Sequence, residues 1–180
     1  MPVTRLSWLA AVAGLAVGCG VGRAIFNIDV LSYRPSLADT LPYVLPGGTS
    51  ITGLRDSFEL ALPGGLGNSV VDSVSLRYAS TILNTGGGGQ FILEVFFDST
   101  ASGVFTSTVR FADTAVVAGP DTQLLGPLIV PLLADNLFSG DRLWVGVRGS
   151  LAADPGPALT GRVVTVSVLG LRIVLQDQIF

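Results

Sequence analysis

The sequence predicts an all-β fold: an antiparallel β-sandwich, jelly-roll or immunoglobulin-like, preceded by an N-terminal signal-peptide helix. Three observations carry this. Apolar and polar residues alternate with period two in several short runs, turn residues recur between the runs, and no helical periodicity follows Arg23. The 180 residues are 49% hydrophobic and 13% charged, which suits a single well-buried core.

Taken in order, the first weak strand signals are Ile25 to Tyr33, Ser50 to Gly53 and Ser57 to Leu62. Arg34 to Gly48 holds Pro35, Pro42 and Pro46 and reads as a connecting loop. From Val70 to Tyr78 the pattern alternates strictly, with Asp72 falling in the apolar register. Phe91 to Phe97 and Phe105 to Phe111 alternate likewise, as does Leu143 to Val147. Gly119 to Leu133 is broken by three prolines and reads as an edge strand or irregular crossover. The last run, Val163 to Gln176, is long and rich in Val, Leu and Ile, with Gly170 as an expected bulge or bend. Turn signals stand at Pro63-Gly64-Gly65, at Asn84 with Gly86 to Gly89, at Ser139-Gly140-Asp141 and at Asp154-Pro155-Gly156-Pro157. With no internal repeat or hydrophilic linker, the expected division is a leader (1–18), an N-terminal segment with the first strand and a loop (19–48), and the remainder of one sandwich domain (49–180).

Composition removes several chemistries. There is no His, and all ten basic residues are Arg. Imidazole-based triads, lysine Schiff bases and the phosphate-loop lysine are therefore excluded. One Cys and no His cannot build a structural zinc site. A net charge of −3 with singly scattered arginines argues against nucleic acid as a partner. The four glycines Gly86 to Gly89 lead into Gln90 and Phe91 of a strand, so they read as a flexible hairpin tip and not a phosphate loop.

The leader is informative. Met1 to Arg5 carries one positive charge, Leu6 to Val17 is apolar, and small residues follow. This is the build of a secretory signal peptide, too short to span a bilayer as a helix. Leu15-Ala16-Val17-Gly18-Cys19 resembles a bacterial lipobox, with Gly18 and Cys19 matching and Ala16 standing where a Leu-like residue is usual. The resemblance covers about a tenth of the chain. It implies cleavage before Cys19 and acylation of that cysteine, which becomes the membrane contact. Gly20, in place of an Asp, implies the outer membrane. The alternative is ordinary cleavage at the small-x-small site Gly22-Arg23-Ala24, which gives a secreted protein.

Function is read from what remains. Arg142, Trp144 and Arg148 alternate onto one strand face and form the candidate binding surface for an envelope protein or a glycan. No catalytic residues are assigned. The enzymatic alternative is a glycan hydrolase using Glu59 and Glu94, which needs carboxylates about 5–9 Å apart. Glu94, opposite Leu93 and Val95, is expected on the solvent face. No cofactor or bound metal is expected, except that turn acids such as Asp98, Asp135, Asp141 and Asp154 would suit a structural calcium. A small outer-membrane barrel is the remaining architectural alternative, prompted by the terminal Phe180. Stepping back by two gives Gln178, Gln176, Val174 and Arg172, which departs from the barrel ending.

Overall fold

The computed structural model describes residues 23–33, 40–62, 70–132 and 136–176. The leader, Cys19, the Pro63 turn, Asp135 and Phe180 lie outside them. Nine strands form two antiparallel sheets: β1 Arg23–Asp29, β2 Thr40–Leu45, β3 Ser50–Ala61, β4 Val70–Gly86, β5 Gly88–Asp98, β6 Arg110–Ala118, β7 Asp121–Leu132, β8 Arg142–Ala153 and β9 Leu159–Gln176. Three short 3-10 turns, Val30–Tyr33, Val104–Thr106 and Asn136–Ser139, complete the described elements.

Sheet A runs β1-β9-β4-β7, with β2 also on β9; sheet B runs β3-β8-β5-β6. β1 lies along residues 170–176 of β9 and β2 along residues 159–164, so the two are halves of one interrupted edge strand. Counted that way there are eight strands. Most links pass from one sheet to the other, and the sheet orders are those of a jelly roll. Of the two sandwich types expected, this decides for the jelly roll.

Period-two burial produces the core. Leu76, Tyr78 and Ile82 of sheet A face Leu60, Leu93, Phe97 and Leu143 of sheet B, all at most 1% exposed. Val30 and Phe138 reach into the same core from 3-10 turns. Tyr78 also ties the sheets together. Its hydroxyl donates to Asp113 on β6, and its ring lies 4.7 Å from that of Phe111. Burial, then the hydrogen bond to Asp113, pushes the phenol above its ordinary pKa. An apolar interior with arginine, serine and threonine outside is the reverse of a lipid-facing barrel, so the barrel alternative gives way to the sandwich.

Several expectations are corrected. The 34–48 stretch contains β2, whose Pro42 is tolerated because it sits on an edge. Asp72 does not enter the core: the register slips between Val71 and Ser73, which leaves the aspartate exposed. Phe105 to Phe111 is not one strand. Val104–Thr106 is a 3-10 turn and β6 starts at Arg110. Ser107 causes the break, since its hydroxyl donates to the Phe97 carbonyl and accepts from the Val109 amide. Gly170 pairs regularly with Asp29 and Arg77; two slips are extra residues in β4, at Asp72 and Thr85, and the irregularity of β9 lies between Val164 and Val168. The Gly119 to Leu133 stretch is the edge strand β7, with Gly126 at a positive φ of 74° where its register shifts.

The tetraglycine tip is packed. Gly87, at φ 71°, joins β4 to β5, and a Cβ there would lie 2.4 Å from the Ala158 carbonyl oxygen. Only glycine lets the 154–158 loop settle on this corner.

Candidate functional site

The candidate site is the outer face of sheet B. Strand register lays it out in rows across the sheet. One row is Glu59, Trp144 and Asp98; the next is Ser57, Gly146, Phe96 and Arg110; the third is Arg55, Arg148, Glu94 and Ala112. An outer sandwich face is normally wetted. Here a loop covers the middle row.

The cover is built locally. Asp98 ends β5 and accepts from the Thr100 amide at 2.8 Å and the Thr100 hydroxyl at 3.0 Å, an Asx-type turn that reverses the chain. The following 3-10 turn sets Val104 and Phe105 over Gly146. A Cβ at 146 would stand 3.0 Å from Val104 Cγ2 and 3.1 Å from Phe105 Cε1, so the glycine makes the seat. Phe96 stacks edge-on against Phe105 with centroids 5.7 Å apart. Val104 and Phe96 are thereby buried outside the main core.

Charges frame this second cluster. The Arg55 guanidinium lies 4.3 Å from the Phe105 ring centre and that of Arg148 lies 4.7 Å from Phe96. Arg148 Nε donates to Glu94 Oε2 at 2.6 Å, and Arg110 Nη1 donates to Glu94 Oε1 at 3.2 Å. Glu94 is therefore on the outer face as expected, yet buried. Its hydrogen bond from Arg148 holds the carboxyl below the ordinary glutamate range, against the opposing effect of burial. The same bond raises the Arg148 pKa.

The three predicted residues share the β8 face but do not form one surface, because Val104 and Phe105 come down between them. Arg148, with its side chain 28% exposed, is committed to Glu94 and Phe96. Arg142 is 70% exposed and pairs loosely with Glu59 at 3.3 Å. Trp144 is half-buried, set by register between Glu59 and Asp98. The accessible part is thus Arg142, Trp144 and Glu59. The glycan-hydrolase pair is not assembled: Glu59 and Glu94 stand four residues and two strand spacings apart, a diagonal of about 16 Å across the sheet between their backbones. Among the described residues no three acids cluster around a metal position, and Asp98 is already engaged by Thr100. Sequence reasoning missed Phe96, Val104, Phe105 and Gly146. The signal available was Phe96, an aromatic between Glu94 and Asp98 on the second face of β5, followed eight residues on by the apolar Val104-Phe105 pair.

No protein-family model matches the chain, and no curated protein matches it in sequence. Among solved structures it is similar to that of infectious bursal disease virus Gx strain, at 9% identity and a TM-score of 0.42, over 88% of this chain and 38% of the other. It is similar to a chain of the T13 IBDV viral particle at 10% identity and 0.36, over 86% and 38%. It is also similar to the decameric BFDV capsid protein at 15% identity and 0.27, over 88% and 100%. The chain therefore spans well under half the length of the first two.

Proposed function

We propose that this jelly roll is a lipid-anchored, extracytoplasmic binding module of the outer membrane. In this reading Cys19 carries the anchor, and Arg142, Trp144 and Glu59 engage a protein or glycan of the envelope. The role is recognition, without catalysis and without nucleic acid. The observation that carries it is the reinforced outer face of sheet B. A second apolar cluster and the Glu94 ion pairs stiffen the strand that presents Trp144, and a held aromatic beside an exposed arginine is the usual make-up of a recognition anchor.

The anchor is tested by the intact mass of the protein from membranes. The expected mass is residues 19–180 plus diacylglycerol and acyl chains, lost in Cys19→Ala. An unacylated mass would remove the anchoring reading. Recognition has a built-in reporter. The chain has two tryptophans, Trp8 in the leader and Trp144, so the mature protein fluoresces from Trp144 alone. Cell-wall glycan fragments are expected to shift its emission, and Arg142→Ala to weaken binding at least about ten-fold. Unchanged emission with glycans, together with no cross-linking from residue 142 to any envelope protein, would refute the site.

A further inference from the structure

The two outer faces treat their arginines differently. On sheet B, Arg110, Arg142 and Arg148 each meet a carboxylate, and Arg55 lies on Phe105. On sheet A, Arg23 at the β1 edge pairs with Asp72 at 3.0 Å, whereas Arg77, Arg162 and Arg172 are exposed and, among the described residues, have no carboxylate partner. Acids are not scarce, since thirteen Asp and Glu face ten Arg in the chain. Register puts all three arginines on the outer side: Arg172 between Asn27 and Ser75, Arg77 beside Gly170, and Arg162 between Pro42 and Leu83. That face also exposes Ile25 at 52%, Val44 at 77%, Leu124 at 67% and Ile129 at 66%. Unpaired arginines among exposed apolar side chains match an anionic, partly apolar surface.

We propose that the outer face of sheet A lies flat on the anionic surface of the bilayer that carries the anchor. This rests on acylation at Cys19, which precedes Arg23 by four residues, at most about 14 Å of extended chain. β1 is an edge of sheet A, so the tether enters the sheet that bears the unmatched arginines. The arginines meet lipid phosphates while the apolar side chains enter the headgroup layer. Around Arg162 a hollow of about 650 Å³, walled by Pro42, Val44, Leu83 and Thr122, is roomy enough for a phosphodiester headgroup. Sheet B and Trp144 then face away from the membrane, toward the partner.

The test uses the unacylated mature chain, Cys19→Ser, after a cooperative melt confirms the sandwich. Binding is expected to phosphatidylglycerol vesicles and not to phosphatidylcholine vesicles, and to weaken with salt. Gln at Arg77, Arg162 or Arg172 is expected to lower partitioning about five-fold each. Arg162 and Arg172 are ten residues apart, about 33 Å along β9, so equal effects indicate a flat pose. Brominated lipid should leave Trp144 unquenched and should quench a tryptophan moved to the other face by Ile129→Trp with Trp144→Phe. Equal binding to both lipids, no effect of Arg162→Gln, or quenching of Trp144 would overturn the flat pose. Self-association without vesicle binding would overturn it too, and would assign the face to a second copy. An unacylated native mass would defeat the anchor reading separately, whatever the vesicles show.

Discussion

Asn84→Leu is expected to destabilise the protein by about 3–5 kcal/mol, because it takes the partner from the buried Tyr43 hydroxyl and from the Gly119 carbonyl, and leaves the Gly87 carbonyl with the Gly119 amide alone. Asn84 is 5% exposed. Its Oδ1 accepts from the Tyr43 hydroxyl at 3.1 Å, and its Nδ2 donates to the Gly87 carbonyl at 2.9 Å and the Gly119 carbonyl at 2.6 Å. The side chain thus pins β2, the β4–β5 corner and the β6–β7 turn to one point. Gly161 lies between Tyr43 and Asn84 in the register, and a Cβ there would come 2.5 Å from the tyrosine oxygen, so the hydroxyl passes where a side chain would stand. Thermal melting should show a midpoint lower by about 10 °C. Asn84→Asp should be nearly as damaging at neutral pH, since an oxygen then faces two carbonyls. A loss under 1 kcal/mol for Asn84→Leu would mean that water replaces all three bonds.

Glu94→Gln is expected to cost about 2–3 kcal/mol at neutral pH, by leaving the partly buried Arg148 without its counter-charge. The native glutamate has a depressed pKa relative to the ordinary 4.5, chiefly through the Arg148 hydrogen bond. Its contribution is therefore fully present above pH 4.5 and is lost as pH falls through the folded value. Urea unfolding of the native protein should weaken across that acid window, and Glu94→Gln should flatten this part of the profile. Adding Arg148→Met should recover part of the loss, because methionine keeps an apolar contact with Phe96 and removes the orphaned cation. A variant as stable as the native protein at pH 7, with the same acid slope, would show that the ion pairs contribute nothing net.

Most of the strands after Arg23, and the lack of α-helix among the described residues, were legible in the sequence, because alternation and turn chemistry act residue by residue. Leu143, Val145 and Val147 are buried in step, as their spacing requires. The sequence also placed Arg142, Trp144 and Arg148 on one face. What that face became depends on pairings far apart in the chain. The partners of Glu94 lie 16 and 54 residues away, so its burial depends on which strands pair. The cover over Gly146 depends on an Asx turn at Asp98 and on the 3-10 turn Val104–Thr106, which takes the start of a segment, Phe105 to Phe111, whose alternation reads as strand. The jelly-roll winding depends on β1 and β2 sharing β9, a long-range pairing that local periodicity does not encode. Which arginines meet a carboxylate, Arg110, Arg142 and Arg148 on sheet B and Arg23 on sheet A but not Arg77, Arg162 or Arg172, arises in the same way: charge is written in the sequence, but distance between charges is set by the fold.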